Sequence, residues 1–506
     1  MADATGTPEG AAPVELSRRE RRARRAGAGP TRGRTASVVA VVAVVAVIAA
    51  VDAVAGTPPA PPAPPVLGAT AVPPADAASS SWFCAGGGVG PGSVASPTVS
   101  LSNTTDRPVA GVMTVTVDRG SSGSVTLPRR SVDVPAGGTS LVDPGTGAPA
   151  GSVATTFTFA TGGVGVSQVL SGPSGWTTSP CASSTSSQWY LAAGSTTAGA
   201  TQTLSLYNPT STDAAVNVTF LTGGGVVQPQ DYQGLVVPAG QLVVENVGDF
   251  VQDQGTIATE VQAQAGQVVA FQLQQWQAPP AVGIAVLLGS PVTGSDWQFP
   301  QTTETGGSAV TLHLANPGPV ADTATIDVEV SAISVQPVVV PVPPNGVADV
   351  VVSGEPSFPR GAPYAIGVSG STGTLVVART VQAGPQAAPP QWGASMGTPF
   401  AATGWLVPAP GVPGDPAVAR AAVSSLAVAN PGDQTTRVTV AALAGGRAVT
   451  TLSVPPRSLA VLSGPGISGL HTLIVRASQP VAVEEDAVPS GAPGVVSSPG
   501  LPLATG

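Results

Sequence analysis

Lysine is absent from this 506-residue chain, histidine and cysteine occur twice each, and charged residues make up only 9% of it. Each scarcity removes a class of chemistry. A zinc site needs three or four closely placed ligands, and neither His313 nor His471 has a Cys or carboxylate at ligand spacing. Serine hydrolysis on a strand-to-helix G-x-S-x-G elbow is not expected either, because helical periodicity is missing after residue 52. Gly86-Gly87-Gly88 and Gly223-Gly224-Gly225 lack the Lys and the helix of a phosphate-binding loop and read as turns. The net charge is −9, with 19 basic residues that are all Arg. Eight of these precede residue 36, beside four acids, which leaves eleven Arg against 24 acids in the body. Such a body offers no footprint for a nucleic-acid backbone. We expect no enzyme, cofactor, metal or nucleic-acid partner.

What is present is punctuation and alternation. The chain has 63 Gly and 53 Pro, yet 42% of it is hydrophobic, a mixture that suits many short strands separated by turns. One stretch, Leu204-Ser205-Leu206-Tyr207-Asn208-Pro209, alternates apolar and polar residues and stops on an Asn. It recurs as Val99 to Asn103, Leu312 to Pro317 and Leu426 to Pro431. That is the pattern of a half-buried strand followed by a turn. Trp82, Trp189, Trp297 and Trp405 open the repeats at spacings of 107, 108 and 108 residues. A strand closing on Pro (Val134-Pro135, Val237-Pro238, Val342-Pro343, Val454-Pro455) and a late apolar strand keep the same phase. Three markers in register define a repeat.

The expected architecture is all-β, with four tandem immunoglobulin-like β-sandwich modules after a single N-terminal transmembrane helix. In order, these are a disordered Arg-rich cytoplasmic tail (1–35), a transmembrane helix or signal anchor (36–56), a Pro-rich linker (57–80) and modules at 81–185, 186–294, 295–402 and 403–506. The uncharged run from Thr35 to Val51 meets the lower length limit for a span, and the Arg flank fits retention on the cytoplasmic side. The alternative is a signal peptide cleaved after Ala55. Either way, residues after about 56 lie outside the cytoplasm, on a single-pass membrane protein or a secreted one. The spacing of seven apolar-rich segments in module two, near Trp189, Thr203, Val216, Leu235, Leu242, Ile257 and Val268, suits a sandwich.

Cys84 and Cys181 bracket the first module, and outside the cytoplasm a lone pair so placed reads as a disulfide. Glu484-Glu485-Asp486 reads as a solvated strand end, since neighbours along a strand face opposite sides. Asp249 with Asp253, or Asp231 with Glu245, could serve calcium only weakly, without an EF-hand loop. The phase-locked Trp residues read as core anchors; Trp176, Trp276 and Trp392 are less regular and read as core or intermodule packing first, with ligand contact as the alternative that makes them the candidate aromatics.

On Leu312-His313-Leu314-Ala315-Asn316-Pro317, Val454-Pro455-Pro456 and Pro480-Val481-Ala482-Val483-Glu484, the chain resembles an actinobacterial family of secreted or membrane-anchored proteins, domain of unknown function 5719, over roughly residues 80–500. Module one departs from that pattern, with Asn103-Thr104 in place of Asn-Pro. The resemblance implies an extracytoplasmic envelope protein and brings no catalytic residues. The function expected is a non-enzymatic, membrane-anchored protein with a structural or adhesive role in the cell envelope, touching the membrane through its N-terminal helix and a cell-wall glycan or another envelope protein through its modules. The alternative is a carbohydrate-binding protein of the cell wall.

Overall fold

A computed structural model describes residues 70–277, 281–302, 309–330, 335–382, 391–409, 423–464, 467, 472–488 and 495–504. The Arg-rich tail, the apolar segment at 36–56, the Pro-rich stretch up to residue 69 and His471 lie outside the described residues. Among the described residues no helix is long and apolar enough to cross a membrane. The regular elements there are antiparallel strands with a few 3-10 turns, so the fold is all-β.

Period-two alternation becomes strand where one face meets a partner sheet. Ala214–Thr222 buries alternate residues, as a half-covered strand must. It pairs with Ile257–Ala265, Leu235–Val237 and Gly225–Val227, and Gln188–Leu191 completes this opening sheet. The second sheet runs Leu242–Asn246, Ala200–Tyr207, Val269–Trp276, Gly283–Leu288. The first and third repeats build the same pair of sheets. In the last, the 16-residue strand Leu473–Val488 passes through both and joins them into one eight-stranded sheet.

The recurrent Asn and the Val-Pro strand prove to be two halves of one contact. Asn103, Asn208, Asn316 and Asn430 are completely buried. The Nδ2 of Asn208 donates to Thr212 O at 2.8 Å and to Val237 O at 2.9 Å, while its Oδ1 accepts from Thr210 N at 3.0 Å and Thr210 Oγ1 at 2.7 Å. Asn430 reaches Gln434 O, Val454 O and Pro455 O in the same way, at 2.8, 3.0 and 2.9 Å. One side chain thus closes its own turn and ties it to the strand that ends on Pro. Every hydrogen-bonding position of the amide is used, which is what burial of an Asn requires.

The expected row of modules is instead a closed ring. Gly175–Pro180 runs beside Gly283–Leu288, which runs beside Trp392–Met396, which runs beside Val496–Pro499, which returns to Gly175–Pro180. We call these the axial strands. Gly283–Leu288 is buried at all six residues, because its own module covers one face and the axis the other; this is why the run from Ala281 to Val292 shows no alternation. Glycine permits the close approach: a Cβ on Gly283 would fall 2.2 Å from Trp392 O.

Around the ring, each opening sheet packs on the second sheet of the next module. Thr156 Oγ1 lies 2.7 Å from Tyr207 OH at the first seam, Thr256 meets Asp349 at the second, Ser425 Oγ donates to Gln301 Oε1 at 3.1 Å at the third, and Thr139 Oγ1 lies 2.9 Å from Thr472 Oγ1 at the fourth. Leu406, Leu443 and Leu501 of the last module share a core with Val99, Leu101 and Val166 of the first. A short latch spans that joint: Val72 N donates to Pro502 O at 2.8 Å, Ala504 N donates to Val72 O at 3.0 Å, and Gly163 N donates to Pro73 O at 2.9 Å.

Candidate functional site

The axial strands leave a half-enclosed cavity of about 80 Å³ between them. All four modules contribute: Thr178 to Pro180, Val286 to Val292, Ala394 to Phe400, and Ser497, Pro499 and Gly500, with Thr70 at the rim. None of these side chains is charged, and Leu287, Leu288, Met396 and Phe400 give the wall its apolar character. The Thr178 hydroxyl is buried without a hydrogen-bond partner. A smaller cavity next to it, at the seam of the first and last modules, shares Thr178, Pro180 and Pro499.

A charged layer lies behind one wall. Arg379, 1% exposed, donates from Nη2 to Ser395 Oγ at 3.3 Å and from Nη1 to Thr302 Oγ1 at 3.2 Å, and it also reaches Gln301 O. Its guanidinium stands 5.3 Å from the Phe299 ring centre and pairs with Glu484 of the next module. Glu484 is 3% exposed, and its Oε2 accepts from Gln301 N at 3.4 Å. Asp486 lies on the same strand face, with Oδ1 4.0 Å from Arg379 Nη2. Burial, reinforced by the Glu484 charge, pushes the Asp486 carboxyl up, against Arg379 and a hydrogen bond from Ser497. Ser395 and Ser497 therefore stand between this cluster and the cavity.

The expectation of a solvated Glu484-Glu485-Asp486 end is corrected. Alternation along the strand is kept, so 484 and 486 share a face, but that face is a module seam occupied by Arg379. A third carboxylate sits on the same seam. Glu329 is 2% exposed, with Arg457 Nη1 3.7 Å away, and neither oxygen has a hydrogen bond. Burial raises its carboxyl to about 7, with Arg457 opposing and Asp327 adding to the rise.

Cys84 and Cys181 are joined, with Cα atoms 4.8 Å apart, and tie the opening strand of the first module to the residue after its axial strand. The three candidate contact aromatics line seams instead. Trp176, 2% exposed, packs with Val169, Ala487 and Val496 between the first and last modules. Trp392, 8% exposed, meets the half-buried Trp276 at a ring distance of 6.3 Å between the second and third. Trp176 and Trp392 pack between modules and leave no open face on which a sugar could stack. The phase-locked tryptophans are anchors: Trp189, Trp297 and Trp405 donate to Val268 O, Leu375 O and Val481 O at 2.8, 3.1 and 3.0 Å.

His313 is held at both ring nitrogens. Its Nδ1 lies 2.8 Å from Asp349 Oδ1 and its Nε2 lies 2.9 Å from Thr380 Oγ1. Burial works against the Asp349 charge, but the His313 ring and the Thr256 hydroxyl hold its carboxyl below the usual range. Among the described residues no cluster of three or more His, Cys, Asp or Glu side chains could hold a metal. Gly393-Ala394-Ser395-Met396-Gly397 spells G-x-S-x-G, yet it follows the extended strand Trp392–Met396, and Ser395 accepts from a guanidinium instead of facing a base. The cavity and Arg379 carried no signal in the sequence, except that Gln168, Gln272 and Arg379 share one register position, opposite Val99, Leu204 and Leu312.

Among curated proteins nothing matches the chain. A solved structure described as a tetra-tandem repeat in the extending region of a large adhesion protein is 14% identical, covering 81% of this chain and 96% of its own, with a TM-score of 0.09. A family model matches residues 145–288, from the last strands of the first module through the axial strand of the second. That stretch of the chain is similar to the family of unknown function DUF5719, the family its repeated strands resemble.

Proposed function

We propose that this chain is a non-catalytic scaffold of the cell envelope, tethered by its N-terminal apolar segment and carrying its four immunoglobulin-like modules outside the cytoplasm. The observation that carries the reading is the disulfide between Cys84 and Cys181, a bond that persists in oxidising compartments and is rare in the cytosol. The use of the recurrent polar residues supports it. The Asn side chains close turns and Arg379 bridges modules, so the groups that mark the repeat are spent on rigidity. Glycan recognition is weakened as a second reading by the burial of Trp176 and Trp392.

The test is fractionation of the producing cells, with thiol alkylation before lysis, followed by co-sedimentation of the purified chain with isolated walls. The scaffold reading expects protein in the membrane and wall fractions with no alkylatable thiol, and retention on walls that depends on wall proteins. Free thiols and a cytosolic pool would overturn it. Retention that survives protein stripping and is lost with the glycans would establish the carbohydrate reading in its place.

A further inference from the structure

Charge is spread unevenly over the four seams. The first is closed by neutral hydroxyls, Thr156 against Tyr207, and the fourth by Thr139 against Thr472 beside a shared apolar core. The second holds one acid, Asp349, bonded by His313 and Thr256. The third sets three carboxylates against two guanidinium groups, and one of these, Arg457, is 66% exposed. Arg379 is shared: Glu484 pairs with it, while Asp486 Oδ1 stands 4.0 Å from it and accepts no hydrogen bond. Ser497 on the neighbouring strand hydrogen-bonds the Asp486 carboxyl, and Glu485 lines the smaller cavity instead. Around Glu329 stand Asp327 on its own strand, Gln298 and Gly367 on the neighbouring ones and Arg457 across the seam. Neither Glu329 oxygen accepts a hydrogen bond, so the charged form is the costly one.

The backbone at Arg457 marks the same joint. The turn after each Val-Pro strand carries a left-handed residue: Gly137, Gly240, Asn345 and Arg457. In three repeats that residue abuts the preceding module. A Cβ on Gly137 would stand 3.5 Å from Leu443 O, Gly240 O accepts from Thr116 Oγ1 at 3.2 Å, and Arg457 reaches Glu329. A long L side chain is disfavoured in that conformation, and here alone it carries a charge into a seam. We propose that the third seam is the proton-dependent joint of the ring, gripping while Glu329 and Asp486 hold their protons and loosening once both have lost them. The sign follows from burial. Glu329 titrates at about 7 in the closed seam against about 4.3 when wetted. The closed seam binds the proton more tightly, so its grip is complete below the lower value and is lost as pH rises through the upper one. From pH 5 to pH 8.5 this group alone shifts the open-to-closed ratio on the order of a hundredfold. Asp486, pushed up by burial and by Glu484, acts in the same direction.

The experiment is thiol labelling of the full chain. Both natural cysteines are joined, so one introduced cysteine supplies the one free thiol. Ala427, fully buried and opposite Glu484, faces the third seam. Ser205 holds the same place in the second module, two residues before Tyr207 of the first seam, and is 2% exposed. Labelling rates of Ala427→Cys and Ser205→Cys, each divided by the rate for the unfolded chain at the same pH, give the open-to-closed ratios. At position 427 the ratio should rise on the order of a hundredfold from pH 5 to pH 8.5, while at position 205 it stays within about threefold. Adding Glu329→Gln and Asp486→Asn should remove most of the rise. Ser425→Cys probes the same seam, where Ser425 bonds Gln301, so a misfolded Ala427→Cys protein leaves the outcome decided. A flat ratio at the third seam, an equal rise at the first, or a rise that survives the neutral substitutions would overturn the proposal.

Discussion

Replacing Asn208 by Ala tests whether the repeat marker is structural. The substitution strips partners from Val237 O, which is inaccessible to water, and from Thr212 O and Thr210 N, which are partly accessible. An orphaned buried acceptor costs about 1–3 kcal/mol and each partly wetted bond about 0.5–1.5 kcal/mol, so the total is about 2–6 kcal/mol. Asn208→Asp is the sharper probe, because it keeps the shape and turns a donor into an oxygen facing two carbonyls. Its carboxyl should be forced above the ordinary value of about 3.9. The folded state then binds the proton more tightly than the unfolded state, so stability is retained at low pH and lost as pH rises through the folded value. Urea unfolding followed by emission of the buried Trp189 at pH 4 and pH 7 reads both effects, with hydrogen exchange localising the loss to the second module. If Asn208→Ala falls within 0.5 kcal/mol of the parent, or if the Asp variant has the same deficit at both pH values, the tie between turn and Val-Pro strand is not what holds the module.

Other outcomes follow from the seams and the disulfide. Arg379→Met leaves Glu484 without its partner and should cost about 3–5 kcal/mol, whereas Arg379→Met with Glu484→Met should recover most of it; a double-mutant cycle in urea reads the coupling. Glu329, held up to about 7 in the fold against about 4.3 unfolded, makes stability fall as pH rises between those values, and Glu329→Gln should flatten that slope in thermal scans from pH 4 to 8. Opening the 97-residue loop with Cys84→Ser and Cys181→Ser should cost about 4–5 kcal/mol in the loop-entropy model, measured by denaturation with and without reductant.

Strand positions were legible where one face is covered and the other wetted, as alternation in Val216 to Phe220 records, and also where the sequence alternates although both faces are covered, as in Leu204 to Tyr207. All seven segments expected in the second module are strands, and the structure adds Gly225–Val227. The apolar run Ala281 to Val292, too short to cross a membrane and legible as a buried strand or an intermodule connection, holds the strand Gly283–Leu288, which has no period because it is covered on both faces. The disulfide was legible from compartment and placement. What local pattern could not supply was partnership at a distance. Glu484 looked wet because its neighbours are acidic, while its Arg partner stands 105 residues away. The bending of the array into a ring rests on contacts such as Leu406 against Gly165, which leave no local trace. The cavity exists only because of that closure.

The latch that joins Val72 to Pro502 and Leu503 also sets an order of events. During synthesis residue 72 appears early and waits for a strand that emerges more than 400 residues later. Three modules can form in turn during synthesis, but the fourth cannot complete its sheet against Leu501–Pro502 until those residues have emerged. Until then Leu406 and the first module's Val164 and Val166 present bare apolar surface to one another's solvent. A chain stopped just short of Leu501 would carry nearly every strand of the fold and still lack the Leu501 side chain against Gly165 and the hydrogen bond from Val72 N to Pro502 O, so the joint between its first and last modules would be the weakest of the four.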